Sequence, residues 1–454
     1  MRRRMYETDM SKGSIFKKLI LFVVPLILGN VLQLLYNAAD IIVVSRWAGS
    51  NAMASVGSTS SLNALLINVF IGISIGASVV VSKRYGAKDY EGIYRSVHTS
   101  MLLGIIVGFI ALVLGQFLCR KLLILMGTPE GPVLDGAVLY MRIFFIGAPA
   151  SLVYNFGAAI LRAIGDTKRP LYILAATGIV NVILNLFLVI KFNMGVEGVA
   201  IATAVANYLS ALAVLYALIR SDAVYKLILK EMRFYKDELK EILRIGLPAG
   251  LQSSVFSLSN TVIQSAVNSF GTAAIAGSAA ASNIEGFVYT SMNAFHQATI
   301  TAVSQNYGAK NEKRVKQSIT ISVLCVAIVG FVLGSATVIF DDALLSIYIT
   351  DSFEAVEFAK VRVLLNGLPY FLCGVMDVLA GALRGLGYST ITAVNSLLGA
   401  CGLRILWIFF ILPLCRSPYI LFACWPVSWF LVIIMHTIYL MIVKKKAMQK
   451  MYEL

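Results

Sequence analysis

The sequence predicts an all-α membrane protein: twelve transmembrane helices, arranged as two six-helix bundles related by a pseudo-two-fold along the membrane normal. Three observations carry this. Of 454 residues, 59% are hydrophobic and 13% charged, whereas a soluble domain is nearer half apolar and a quarter charged. Apolar runs of about 20 residues, enough to cross a bilayer, recur along the whole chain. Short motifs also repeat at one nearly constant spacing.

The runs fall at roughly 19–44, 53–81, 97–118, 138–161, 170–190, 196–219, 246–269, 273–303, 318–340, 361–383, 390–412 and 419–443. With the N-terminus placed in the cytoplasm, the inner segments hold 29 of the 38 lysines and arginines. Among them are Arg2, Arg3, Arg4, Lys83, Arg84, Arg162, Lys168, Arg169, Lys310, Arg314, Lys444, Lys445 and Lys450. The outer segments hold only Arg46, Arg120, Lys121, Lys191, Lys360, Arg362 and Arg416. This is the positive-inside pattern, and it places both termini in the cytoplasm. The net charge of +15 is therefore a topology signal and not a nucleic-acid footprint. The basic start, MRRRMYETDMSKGSIFKK, lacks a small-residue cleavage site, so the first span is expected to stay as an anchor.

The two halves repeat. Tyr85-Gly86-Ala87-Lys88 returns as Tyr307-Gly308-Ala309-Lys310, and Gly147-x-Pro149 as Gly367-x-Pro369. Leu161-Arg162-Ala163-Ile164-Gly165 is echoed by Leu383-Arg384-Gly385-Leu386-Gly387, and Pro25 by Pro248. An even number of spans per copy gives both copies the same orientation, with a substrate cavity expected between them. The expected parts are an N-terminal bundle over 1–220, a cytoplasmic linker over 221–244 and a C-terminal bundle over 245–454. Apolar residues at helical spacing and alternating Lys/Glu make the linker read as an amphipathic helix.

The first span carries the most informative residues. Asn30, Gln33, Asn37 and Asp40 stand three, four and three apart, so a helix gathers them into one polar stripe. A carboxylate facing lipid costs about 2.5–3.5 kcal/mol on insertion scales; the stripe must face protein or water. At a rise of about 1.5 Å per residue, Asp40 falls at a depth similar to Asn185 in span five. Asn181 is one turn deeper, with Thr203 of span six and Tyr140 of span four near that level. Carboxylate, amide and hydroxyl oxygens together can hold a proton, or a hard monovalent cation such as Na⁺ at Asp40, Asn181 and Thr203. Gln33, Asn37 and Asn155 are further cavity candidates.

The C-terminal half does not copy this site, since Val262 or Ile263 stands where Asp40 would be. Its own span charges are Glu285, Asp377 and Arg404. Estimated depth pairs Arg404 with Glu285. Asp377 aligns with Asn155 in the repeat and is a second candidate for contact with a cation or substrate. Nothing reads GxxxxGK[ST], HExxH or GxSxG, so no cofactor and no enzymatic chemistry are expected. The six cysteines show no paired spacing and read as small hydrophobes. His98, His296 and His436 read as isolated.

Several runs resemble the multidrug and toxic compound extrusion (MATE) family: PLILGNVLQLLYNAADIIVV from Pro25, YGAKDYEGIYRS from Tyr85, YGAKNEKRVKQS from Tyr307, LRAIGDTKRP from Leu161 and LRGLGYST from Leu383. The resemblance implies an antiporter that expels cationic amphipathic compounds in exchange for H⁺ or Na⁺. It also implies a V-shaped pair of six-helix bundles, working as a monomer in a prokaryotic plasma membrane. In the branch it is most similar to, the coupling-ion site lies in the N-terminal half, and Asp40, Asn181 and Thr203 match it with Tyr140 and Asn155 beside it. One departure stands out: the family's NxxLD reads Asn181-Val182-Ile183-Leu184-Asn185 here, an amide in place of a second carboxylate. The alternative is a flippase for a lipid-linked precursor from the same superfamily. Such proteins hold phosphate with cavity cations, whereas acids (Asp40, Glu285, Asp377) outnumber bases (Arg142, Arg404) in the spans as drawn.

Overall fold

The computed structural model describes residues 7–349 and 352–453. Arg2, Arg3 and Arg4 lie outside the described residues, as do the side chains of Lys444, Lys445 and Lys450. Among the described residues there is no strand, and each predicted span falls on helical segments, some of them broken within the span. The first half runs α1 (Ile15–Val43), α2 (Ser50–Ala87), α3 (Tyr90–Leu125), α4 (Pro132–Ile146), α5 (Ala148–Ala163), α6 (Lys168–Leu186) and α7 (Val196–Ile219). The second runs α8 (Lys236–Asn268), α9 (Thr272–Gly308), α10 (Glu312–Ile339), α11 (Asp341–Leu345), α12 (Phe353–Arg362), α13 (Tyr370–Gly385), α14 (Ser389–Ser396), α15 (Leu403–Leu406) and α16 (Pro418–Glu453).

Eight helical stretches are long and apolar enough to cross a membrane alone. Two more spans are bent pairs, α4 with α5 at 46° and α12 with α13 at 45°. Both bends fall at the repeated Gly-x-Pro: a proline lacks the N–H that would continue the ladder and crowds the preceding turn. The seventh and eighth spans are α8 and α9, of 33 and 37 residues. They are long enough but more polar, since α8 opens on Lys236-Asp237-Glu238 and α9 carries Glu285 and His296.

The repeat extends to the backbone. Left-handed conformations occur at Gly49 and Gly271, at Lys88 and Lys310, and at Gly165 and Gly387, each pair 222 positions apart. The helix after each YGAK motif is capped alike. Asp89 accepts from the Gly92 N–H at 2.9 Å, and Asn311 from the Arg314 N–H at 3.0 Å, which satisfies one of the four donors a helix start leaves open.

Two compact units emerge. One comprises Met1–Asp9 with Leu28–Ser254, the other Met10–Ile27 with Val255–Leu454. The first half of α1 thus belongs to the second unit, where Leu19, Phe22, Val23 and Leu26 pack with Met292, Phe295 and Trp429. In that unit the chain before α1 is held by backbone bonds: Met10 N–H donates to Gln305 Oε1 at 2.8 Å and Arg314 Nη2 to the Met10 carbonyl at 2.8 Å. In the first unit Glu7 accepts from the hydroxyls of Tyr85 at 3.1 Å and Tyr225 at 3.4 Å. Gly165 packs against Thr8 so tightly that a Cβ would sit 2.2 Å from the Thr8 carbonyl oxygen.

The linker corrects the sequence expectation of a helix through 221–244. Apart from a single 3-10 turn at Leu229–Glu231, helix begins only at Lys236. The preceding segment folds down because its apolar residues find a core: Tyr225 is 4% and Leu227 1% exposed. Its backbone is bound by side chains of α3, with Ile228 N–H donating to His98 Nε2 at 3.1 Å and Tyr235 N–H to Thr99 Oγ1 at 3.2 Å. His98 is thus a structural anchor and not an isolated residue.

Candidate ion-binding site

Four predicted residues meet in the first unit and form a bonded chain that curls into a ring-like cluster. The Asn185 side-chain amide donates to the Asp40 carboxylate and, at 3.3 Å, to Asn181 Oδ1. The Asn181 amide donates to Thr203 Oγ1 at 3.4 Å. The Thr203 hydroxyl lies beside the Asp40 carboxylate. Asn185 is fully buried and Asn181 is 6% exposed. Asp40 therefore meets only neutral donors inside a membrane helix bundle; no cation pairs with it among the described residues.

Local packing explains why α1, α6 and α7 converge here. On α6, Thr177, Asn181 and Asn185 are spaced four apart and share one face. One turn from the ring, Ser210 Oγ of α7 donates to Thr177 Oγ1 at 2.8 Å. On the α1 side Tyr36, one turn before Asp40, donates its hydroxyl to the Ala175 carbonyl at 3.1 Å. Its ring lies flush on Gly178, where a Cβ would come within 1.8 Å of it. Only glycine admits that approach.

Both arms of the ring continue into wide π-helical turns, Val44–Ala48 after α1 and Phe187–Lys191 after α6. Such turns are frequent at functional sites. Val43, Val44, Tyr140, Val189, Val196 and Val199 form an apolar cap beside the ring, so Tyr140 contributes packing at its edge. Asn185 Oδ1 is buried with no hydrogen-bond partner among the described residues. A buried amide oxygen left open one bond from a carboxylate has lone pairs available to a further donor or a cation. Clusters of three or more His, Cys, Asp or Glu able to hold a metal are absent among the described residues. The donor set here, one carboxylate with amide and hydroxyl oxygens, suits a weakly held monovalent ion or a proton.

Other predicted residues stand apart from the ring. Gln33 and Asn37 are exposed, and the Asn155 amide bonds the Ser151 carbonyl of its own helix at 2.8 Å. Glu285 does not meet Arg404. It forms a two-pronged pair with Arg362, whose Nε and Nη2 lie 3.0 and 2.7 Å from its oxygens. The same guanidinium donates to Ser278 Oγ at 2.6 Å, and Asn366 adds a bond to Glu285 at 3.1 Å. Sequence reading put Arg362 on the outer side because Glu354, Glu357 and Lys360 dilute hydropathy there. The helix in fact starts at Phe353 and carries Arg362 inward, to 8% exposure.

Around Asp377 a polar network appears that sequence reading missed. His296 Nδ1 faces the Asp377 backbone carbonyl at 2.5 Å, and Arg384 Nη1 lies 3.0 Å from His296 Nε2. A carbonyl can only accept, so Nδ1 carries the proton and Nε2 accepts from the arginine. His436 is buried beside Asn395 and Ser396 at 3.5 and 3.4 Å. Nothing in local spacing announces contacts between residues 40 to 88 positions apart.

Comparison with known proteins places this geometry. The MatE family profile matches residues 25–187 and again 248–410, one match per repeat. The probable multidrug resistance protein YoeA of Bacillus subtilis is 29% identical over 402 residues, 87% of this chain and 86% of its own length. The probable multidrug resistance protein YpnP of the same organism is 29% identical over 381 residues, 84% of each. Among solved structures, the outward-facing conformation of a multidrug resistance MATE family transporter superposes with a TM-score of 0.88, at 20% identity and full coverage of both chains; this shows the same fold. A profile matched twice at the repeat spacing, on twelve helical spans in two repeated halves, means that the chain belongs to the MatE family, the multidrug and toxic compound extrusion transporters its motifs resemble.

Proposed function

We propose that this protein is a secondary antiporter that exports cationic amphipathic compounds in exchange for H⁺ or Na⁺ by alternating access. It belongs to the branch with its coupling-ion site in the N-terminal half. The single observation behind this reading is the ring around Asp40: one membrane carboxylate, held by neutral donors, beside an open amide oxygen. Keeping such a group as a bare anion inside the membrane is costly. Protonation, or the visit of a cation, on each cycle offsets that cost.

Both curated relatives named above carry multidrug resistance in their names, which favours compound export over the flipping of a lipid-linked precursor. The charge count gives no help in that choice, because Arg362 joins Arg142 and Arg404 inside the spans and balances the acids. We place the protein in the plasma membrane of a prokaryote, and its inner charge excess supports cytoplasmic termini.

The test is transport in vesicles holding the purified protein, with ΔpH and a Na⁺ gradient imposed separately. Export of a fluorescent cation such as ethidium is expected under at least one gradient, and loss of that export in Asp40→Asn. Gradient-driven export that persists in Asp40→Asn rules the assignment out.

A further inference from the structure

The strap that joins α7 to α8 turns one side to the protein and leaves the other bare. Tyr225 and Leu227 are buried in the first unit, while Val224, Lys226 and Ile228, which alternate with them, are exposed. That is the two-residue period of an extended chain. Further on Leu229, Lys230, Arg233, Phe234 and Lys236 are exposed too, Leu229 by 57%. Apolar and basic side chains thus interleave along the bare side.

Backbone contacts fix the level at which the strap runs. Leu227 N–H donates to the Leu218 carbonyl at 3.2 Å, in the last turn of α7 and of the sixth span. Ile228 N–H donates to His98 and Tyr235 N–H to Thr99. Both acceptors stand at the start of the third apolar run, 97–118. The strap therefore lies where two spans leave the bilayer, at the depth of the lipid head groups.

Charge decides which lipid fits. Residues 220–236 hold five cations and two acids. Glu231 accepts the Tyr94 hydroxyl, and on α8 Glu241 and Glu238 face Lys83 and Arg84 of α2 at 2.9 and 4.0 Å. Lys226, Lys230 and Lys236 have no carboxylate within ion-pair distance among the described residues. Arg233 and Arg95 of α3 both stack on the Tyr235 ring, at 4.7 and 5.5 Å, so two guanidiniums gather at one edge of the strap. Basic residues left unneutralised beside a span end attract anionic lipid, and apolar side chains between them insert at the acyl boundary.

We infer that the strap is a docking surface for anionic phospholipid. Its cations bind the head-group phosphates, and Ile228, Leu229 and Phe234 enter the acyl boundary. The inference needs the strap at a span end, on either side of the membrane, and does not rest on Asp40.

The test uses the full-length protein carrying Cys415→Ser and Leu229→Cys, since the other native cysteines are buried. The new thiol is labelled with NBD, a dye that brightens on leaving water, and the protein is placed in nanodiscs. Emission should be higher in discs of mixed phosphatidylcholine and phosphatidylglycerol than in phosphatidylcholine alone. High salt should reverse the gain, because it screens exposed charges. Each basic residue near an anionic surface contributes about fivefold to partitioning. Combining Lys226→Gln with Lys230→Gln should therefore remove most of the gain, and Lys226→Arg with Lys230→Arg should keep it. Equal emission in the two kinds of disc overturns the inference, as does a gain that the glutamine variant retains in full. Brightening by soluble polyphosphate, with none by phosphatidylglycerol, assigns the surface to a soluble polyanion and overturns it equally.

Discussion

The side-chain amide of Asn185 donates to the carboxylate of Asp40, and the same nitrogen also bonds Asn181. One amide therefore joins the acid of the first span to the polar face of the fifth. Where the family pattern has a carboxylate at this position, the chain holds its lone acid with a neutral donor and leaves the amide oxygen open.

The first prediction follows from that bond. Asp40→Asn keeps the shape and the capacity to hydrogen-bond but removes the titrating and cation-binding charge. Protein yield and thermal stability should stay near wild type, since the cluster can still form. Gradient-driven ethidium export should fall by about tenfold or more, a factor equal to some 1.4 kcal/mol of coupling. Retention of ethidium binding to the detergent-purified variant, measured by fluorescence polarisation, would separate lost coupling from lost substrate recognition.

Asn185→Asp tests the departure from the family pattern. A second carboxylate beside Asp40 adds one negative charge, and two acids in one buried site bind a cation more readily than one acid and an amide. The variant should show tighter Na⁺ dependence, with the half-maximal Na⁺ concentration for export lowered by about tenfold. Asn185→Ala should move export the other way, because it removes both the bond to Asp40 and the open oxygen. Identical Na⁺ dependence in all three proteins argues that the position takes no part in ion binding.

How much of this was legible in the sequence follows from what each residue depends on. The spans were readable because about 20 apolar residues in a row have few other uses. Their ends were not, since α2, α3 and α16 continue into charged turns that hydropathy excludes. Asp40, Asn181 and Asn185 were readable because helical spacing and the cost of a membrane charge act locally. Arg362 was misplaced by the charges that precede it on its own helix. The links from His296 to Arg384 and from His98 to the linker depend on packing between distant segments, which no local pattern records. The linker misled because amphipathic spacing fits a surface helix as well as a strap whose Tyr225 and Leu227 are buried.

Gly178 gives a prediction about how the ring is held. A methyl group there would lie 1.8 Å from the Tyr36 ring, so Gly178→Ala must displace Tyr36 and the turn of α1 that carries Asp40. Overpacking of this kind costs about 1–3 kcal/mol. Unfolding temperature should fall, and export should fall with it. Tyr36→Phe, which removes only the bond to the Ala175 carbonyl, should cost about 1 kcal/mol. Equal stability of Gly178→Ala and wild type would show that α1 and α6 are less tightly joined than this contact requires.

The Glu285–Arg362 pair separates structure from transport. Both groups are nearly buried, their geometry is two-pronged, and Ser278 and Asn366 add further hydrogen bonds to the pair. Removing one partner strands the other: Glu285→Gln leaves a guanidinium with no counter-charge, and Arg362→Met leaves a bare carboxylate. Each single change should destabilise by about 3–5 kcal/mol. The double variant replaces two buried ions with groups that need no counter-ion, so it should recover most of that loss. Thermal unfolding of the four proteins in detergent reads this cycle directly, and ethidium export in the double variant should remain because the pair fixes α12 on α9 and holds no coupling ion. Stability recovered without export would instead make Glu285 a participant in the transport cycle, and the coupling site would then extend into the C-terminal half.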